Sequence, residues 1–192
     1  MIDFDASRTW RPIAELLERT TNPRHRQMLA MLLQHSKGEV EGDLDAVMGS
    51  LAPHPIYKGV RNGGVGPQPE GWDEVKRFYI EEIFGEGRHI LESDKFRIIV
   101  GDDAIVTEGP MRLFRWGRDL ISQGVKIDDP EATYLMHATV LIVWPYDAEG
   151  RIIGEESYGR PPVSFEKVDP SEAPQRFKDY VAGRKARLAE PA

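Results

Sequence analysis

The chain has 192 residues, of which 40% are hydrophobic and 30% are charged, an ordinary composition for one globular domain. Its net charge of −7 argues against a nucleic-acid-binding surface, and the absence of cysteine excludes disulfides, thiol nucleophiles and thiolate metal sites. The N-terminus has no apolar signal core, and no apolar run reaches the ~18 residues of a membrane helix. We therefore expect a cytoplasmic protein that binds neither membranes nor nucleic acids.

The first fifty residues have a helical pattern. Apolar residues recur at helical spacing and predict a first helix that ends near Arg19. Asn22 in front of Pro23 is typical of a helix start, and this second helix should run to about Glu41. Its apolar face carries His35, and a short third helix follows.

The chain then changes from helix to strand. Residues 53–71 are rich in proline and glycine, which excludes a helix there, whereas residues 73–84 are again helical. Alternating apolar residues predict strands at about 95–100, 104–116, 134–146 and 151–158, with a bulge or bend near Gly109 and Pro110. A charged helix is expected near residues 173–188. Helices followed by a meander of long strands favour an α+β fold with an antiparallel sheet.

Four segments together resemble the nuclear-transport-factor-2-like superfamily, especially its SnoaL-like branch. They are His35 to Met48, Leu51 to Tyr57, Gly71 to Tyr79, and the hairpin from Asp147 to Tyr158, within about residues 30–160. The resemblance implies helices packed on a strongly curved sheet, which forms a cone-shaped half-barrel with an internal pocket. It further implies one domain over residues 1–192, with a helical extension at 7–20 and a tail at 161–192.

Members of this superfamily include dehydratases, cyclases, isomerases, epoxide hydrolases, lyases and proteins without catalysis, so the fold does not fix the function. Cyclases of this kind often carry an aspartate just past the final tyrosine. This chain has Gly159 and Arg160 there, so a mechanism that needs that aspartate is not expected. Because the family commonly dimerises through the outer face of the sheet, a homodimer or larger homo-oligomer is expected.

His137 is the first candidate for catalysis. It lies in the middle of a predicted strand, among apolar neighbours, where a surface histidine is not expected. An imidazole in the pocket could transfer a proton near neutral pH. The alternative is a core histidine that is hydrogen-bonded to backbone or to a buried carboxylate.

Glu108 is the second candidate, because it interrupts an apolar stretch of another predicted strand. A carboxylate that faces an apolar cavity resists ionisation, which suits a general acid or base. The alternative is a carboxylate at the sheet edge or facing solvent. Arg112 would share its face if the strand is regular, either to stabilise an anion or to form an ion pair.

Aromatic residues supply the remaining candidates. Tyr57, Tyr79 and Tyr158 could donate hydrogen bonds to a developing oxyanion, although core packing is the favoured interpretation for Tyr79. His54 could lie at the pocket mouth or in an exposed loop. Phe114 and Trp144 could form flat walls around an aromatic ligand, or simply belong to the core.

No metal is expected, because the histidines are widely spaced. The acidic run at residues 39–45 resembles a solvated helix end. The leading hypothesis is a cofactor-independent lyase, dehydratase or isomerase that acts by acid–base chemistry on a hydrophobic, aromatic or polycyclic small molecule. The alternative is a non-catalytic module of the same fold that binds a small molecule or a protein.

Overall fold

The computed structural model describes residues 2–61 and 64–190, which form a helical layer packed on one sheet. The helical elements are a 3₁₀ turn at Ala6–Thr9, α1 at Arg11–Arg19, α2 at Pro23–Glu41, α3 at Leu44–Gly49, α4 at Trp72–Phe78, a π-helical turn at Tyr79–Phe84, α5 at Gly117–Ser122, a second 3₁₀ turn at Pro170–Glu172 and α6 at Gln175–Ala189. None of these helices is long and apolar enough to cross a bilayer.

The predicted helix boundaries have the expected caps. The Asn22 side chain accepts hydrogen bonds from the N–H groups of Arg24 and His25 at the start of α2. Gly42 ends the same helix with a left-handed φ of 75°, a conformation that glycine adopts without steric cost. α5 lies in a polar stretch of the sequence, and its six residues are too few to show a helical period.

The sheet is curved and unclosed, and its strands run in the order β2-β1-β7-β6-β5-β3, with β4 also paired to β5. The strands are β1 at Leu51–Arg61, β2 at Gly64–Val65, β3 at Leu91–Ser93, β4 at Arg97–Val100, β5 at Ala104–Trp116, β6 at Thr133–Pro145 and β7 at Ile152–Val168. The predicted α+β architecture of helices on a curved sheet is thus confirmed.

One pair in the sheet is parallel. β1 runs alongside β7 in the same direction, whereas the other strand pairs are antiparallel, so the sheet is mixed. The hairpin from β6 to β7 fixes an antiparallel direction locally. β1 and β7 are separated by most of the chain, so no turn between them could reveal their relative direction.

β7 extends ten residues beyond Tyr158, where the predicted strand ends. Its pairing with β6 shifts register between His137 and Thr139, opposite residues 160–164. Pro161 and Pro162 lie in this irregularity, where the regular pairing with β6 is interrupted.

The two faces of the sheet carry different layers. The inner face packs against the first helices through residues such as Ile105 and Trp144, in a core with Met28, Leu32 and Tyr79. On the outer face, α6 covers one end of the sheet, with Phe177 packed on Phe114, Trp116 and Leu135. Alternation along β5 therefore sends odd-numbered residues inward and even-numbered residues outward.

The neighbourhood of Gly109 brings a loop onto the inner face. β5 pairs with β6 without a register shift through Gly109 and Pro110, so the bulge expected there does not occur in this pair. On the other side of β5, the partner changes from β3 to β4. A Cβ at Gly109 would overlap the Asp94 carbonyl oxygen and come within 3.0 Å of the Lys95 Cα. The missing side chain thus lets this backbone lie against the inner face.

Candidate functional site

A chain of hydrogen bonds runs through the core between α2 and the sheet. The Nδ1 atom of His35 lies 2.9 Å from the Ser50 hydroxyl, which donates to the Val47 carbonyl at 2.6 Å. On the other side of the ring, Nε2 lies 3.0 Å from the Tyr79 hydroxyl, which lies 3.0 Å from the Tyr57 hydroxyl. The side chains of this relay are buried, and His35 is 0% exposed.

The relay has one consistent direction. Because the Ser50 hydroxyl donates its proton to the Val47 carbonyl, its oxygen accepts a hydrogen bond from the N–H at Nδ1 of His35. The unprotonated Nε2 then accepts from Tyr79, whose oxygen accepts from Tyr57. Tyr57 is thus the end of the relay, and its hydroxyl can change acceptor without leaving the imidazole unpaired.

Burial keeps the relay uncharged. It lowers the pKa of His35 to about 3, so the imidazole is neutral at ordinary pH. It also raises the pKa of Tyr57 and of Tyr79 well above the usual phenol value, and the nearby Glu155 carboxylate raises both further. Glu155 lies opposite Tyr57 in the parallel β1–β7 ladder.

Trp144 holds the imidazole from the sheet side. Its ring packs edge-on against His35 with 5.2 Å between ring centroids. Its indole N–H donates to the Thr107 hydroxyl at 3.0 Å, which fixes the ring on the inner face. The predicted role of Trp144 as a flat wall is therefore compatible with its position beside the relay.

A lysine and a carboxylate lie further along the same interior. Glu39 follows His35 by one helical turn on α2, so both share one helix face. Lys95 lies in the loop that packs against Gly109, and its Nζ donates to the Thr9 carbonyl. Unlike the relay, both side chains are half-buried and keep some accessible surface.

Burial pushes this pair toward its neutral forms. It raises the pKa of Glu39, against the attraction of the Lys95 charge. It lowers the pKa of Lys95 to about 8, against the attractions of Glu39 and Asp94. Loss of hydration outweighs the mutual attraction in both cases. We call His35, Glu39, Tyr57, Tyr79 and Lys95 the inner polar site.

An apolar wall lies next to this site. Strand residues that alternate toward the helical layer are only half-buried midway along the sheet, and they are Ile98, Met111, Met136, Val140 and Ile142. A fully packed core would leave such side chains without accessible surface. These apolar side chains of the inner face therefore keep some accessible surface.

His137 and Glu108 do not belong to this interior. In the β5–β6 register Glu108 is opposite Leu141 and His137 is opposite Arg112, all on the outer face. Glu108 forms an ion pair with Arg97 on β4. The expectation that both groups face an internal pocket is wrong, because an apolar strand sequence does not reveal which face is covered.

The His137 side chain is 38% exposed, and its Nε2 lies 3.1 Å from a carboxylate oxygen of Glu166. It also lines a pocket of about 260 Å³ at the strand edge together with Arg112 and Met111. The Nε of Arg112 donates to the buried Glu92 at 2.6 Å, so this arginine is held in an ion pair.

The remaining candidates also lie outside the inner site. Phe114 is buried on the outer face between Phe4 and Phe177, at centroid distances of 4.9 and 5.5 Å. Tyr158 is 42% exposed opposite Leu141 on the outer face. His54 lines a separate outer pocket of about 590 Å³ beside the start of α4.

The sequence contained a signal for part of the site. His35 and Glu39 are four residues apart, in phase with Met28 and Leu32 on the buried side of α2. The helical pattern places Glu39 on this face, whereas the acidic run at residues 39–45 resembles a solvated helix end; in the structure Glu39 is half-buried. Lys95 carried no local signal, because only the close approach at Gly109 turns it inward. Among residues 2–61 and 64–190, no group of three histidines, aspartates or glutamates could hold a metal ion.

No protein-family model matches the chain, and no curated protein matches its sequence. Solved structures do match. One is a protein from Jannaschia sp. CCS1 assigned as a SnoaL-like polyketide cyclase, with a TM-score of 0.55, 14% identity and coverage of 73% of this chain and 90% of that chain.

Two further structures match at similar levels. SalBIII, an epoxide hydrolase/cyclase-like enzyme of pyran ring formation in the polyether salinomycin, has a TM-score of 0.51 and 12% identity over 70% of this chain and 92% of its own. TerC, co-crystallised with polyporic acid, has a TM-score of 0.50 and 13% identity, and the match covers 70% of this chain and 92% of TerC. The resemblance in fold predicted from the sequence is confirmed, and identities this low show the fold alone.

Proposed function

Because this chain has the nuclear-transport-factor-2-like fold of the SnoaL-like kind, we propose that it binds a small hydrophobic molecule at the inner face of its sheet. We further propose that it transforms this molecule by cofactor-independent acid–base chemistry, as a lyase, dehydratase or isomerase. The observation that carries the proposal is the half-buried pair of Glu39 and Lys95, which lies next to both an apolar wall and a sealed hydrogen-bond relay.

Glu39 is the proposed proton-transfer group. Its desolvated carboxyl has a raised pKa, which brings it closer to the operating pH of a general acid or base. Tyr57 is the proposed donor to a developing oxyanion, since it can turn its hydroxyl away from Tyr79 while Tyr79 still donates to His35. Trp144 and the apolar wall would hold an aromatic or polycyclic ring.

The test is deuterium uptake from D₂O into aromatic and polycyclic ketones, measured by mass spectrometry at the carbon next to the carbonyl. Polyporic acid, which is bound in the TerC structure, serves as a competing ligand. We expect the wild type to promote exchange, polyporic acid to inhibit it, and Glu39→Gln to slow it at least tenfold.

The matched control is Glu108→Gln, which makes the same chemical change on the outer face and should leave exchange unchanged. Equal exchange by Glu39→Gln and the wild type would refute the role of Glu39. Binding of polyporic acid without exchange of any ketone would favour the alternative of a non-catalytic binding module.

A further inference from the structure

We propose that Lys95 forms a covalent imine with the aldehyde or ketone group of a small molecule bound at the inner polar site. This would make carbonyl compounds the substrate class of the proposed enzyme, and it rests on the proposed binding function. The proposal starts from the position of the amine: the Lys95 backbone lies against Gly109 on the inner face, and its half-buried side chain holds Nζ on the carbonyl of the buried Thr9.

The Lys95 amine is held by a hydrogen bond, but it does not form an ion pair with a carboxylate. Its Nζ donates to the Thr9 carbonyl, which is an uncharged partner. Within residues 2–61 and 64–190, no carboxylate lies close enough to form an ion pair with this lysine. A buried ammonium without a contact ion pair is costly, whereas a neutral amine can keep the same hydrogen bond.

The environment therefore increases the fraction of the nucleophilic, unprotonated form. Burial lowers the pKa of Lys95 to about 8, so a substantial fraction of the amine is unprotonated at slightly alkaline pH. A solvated lysine with a pKa of about 10.4 is almost entirely protonated there. Desolvation of this kind is one way in which lysines become able to attack carbonyl carbons.

The reaction balances without any added reagent. The lone pair of Nζ forms a bond to the carbonyl carbon, the carbonyl π electrons move to oxygen, and one of the two protons on nitrogen moves to that oxygen to give a neutral carbinolamine. Glu39, whose raised pKa favours the carboxylic acid, then donates a proton to the hydroxyl, which leaves as water. Glu39 recovers a proton from nitrogen, and the products are the imine and one water molecule.

The experiment traps this imine by reduction. The full-length protein is incubated at pH 7.5 with 2-naphthaldehyde and sodium cyanoborohydride, and modified lysines are quantified by peptide mass spectrometry. We expect Lys95 to be modified at least tenfold faster than the exposed Lys58 and Lys185 in the same sample. Because these lysines are in the same molecules, the comparison does not depend on the folding of a variant.

Two variants complete the test. Lys95→Arg keeps the charge and should lose the fast-reacting site, and Glu39→Gln should slow modification of Lys95 severalfold. Modification of Lys95 no faster than Lys58 would overturn the imine proposal. If ketones still exchange deuterium in that case, the proposed acid–base function is supported without the imine. If Lys95 is modified fast but no ketone exchanges deuterium, the imine proposal is supported and the proposed acid–base function is refuted.

Discussion

At the residue scale, the inner polar site depends on a histidine that cannot be charged. His35 is fully buried, its pKa is lowered to about 3, and both ring nitrogens are occupied by Ser50 and Tyr79. Protonation would place a second N–H at Nε2, so Tyr79 would have to turn its own proton from the ring toward Tyr57. Loss of hydration disfavours this charged form and keeps the imidazole neutral at ordinary pH.

This burial predicts an acid sensitivity. In the unfolded chain His35 should titrate near 6.5, so between pH 6.5 and about 3 the unfolded state binds a proton that the folded state does not. The free energy of unfolding should therefore fall as the pH falls through this range, by about 2 kcal/mol at pH 5 from this residue. Above pH 6.5 His35 should contribute no pH dependence.

Urea unfolding at pH 7.5 and pH 5 can check this for the wild type and His35→Gln. The variant should be less stable at pH 7.5 but should lose about 2 kcal/mol less between the two values. Each protein is compared with itself, so the general cost of the substitution cancels. The same pH dependence in both proteins would mean that His35 takes up protons in the folded state.

At the element scale, local patterns located the helices and most strands, and tertiary contacts decided the rest. The caps at Asn22 and Gly42 are local chemistry and could be predicted. The extension of β7 beyond Tyr158 could not, because two consecutive prolines are compatible with a strand only where a partner strand tolerates irregular pairing. The parallel direction of β1 depends on a contact distant in sequence.

The crossing at Gly109 leads to an element-scale prediction. Gly109→Ala should lower the free energy of unfolding by at least ~2 kcal/mol, because the new methyl group overlaps the backbone of Asp94. It should also reduce the fast modification of Lys95, since the loop that directs this side chain inward must shift. Thermal unfolding and the trapping assay measure the two effects.

Gly101→Ala provides the matched control. A Cβ at Gly101 would meet its nearest neighbour, the Ala104 carbonyl oxygen, at an ordinary 3.5 Å. Its stability should stay within ~0.5 kcal/mol of the wild type. If the two alanine variants were equally stable, the close approach at Gly109 would not constrain the loop.

At the scale of the whole molecule, the outer face of the sheet is covered only in part. α6 buries Trp116 at one end of this face, so this residue is not available for a subunit interface. The uncovered part carries apolar residues with accessible surface, which are Ile99, Val106, Leu141, Val143 and Tyr158. We propose that a second copy of the chain covers them.

Light scattering coupled to gel filtration tests this proposal. The wild type should elute as a homodimer or larger oligomer, and Ile99→Lys should shift it to monomer, because Ile99 is 55% exposed on this face. Ile121→Lys is the control, since Ile121 is 47% exposed on α5 outside the sheet. A monomeric wild type, or equal effects of the two substitutions, would exclude this interface.

The sequence by itself determined most of the helices and strands, the α+β architecture and the family resemblance, because caps, turns and periodicity depend on residues that are close in the sequence. It also identified Tyr57, Tyr79 and Trp144 as candidate pocket residues. The tertiary structure alone decided which side of each strand is covered, and so moved His137 and Glu108 to the outer face. It brought Lys95 to Glu39 for the same reason: a side chain's chemistry depends on burial and on neighbours that are distant in the sequence.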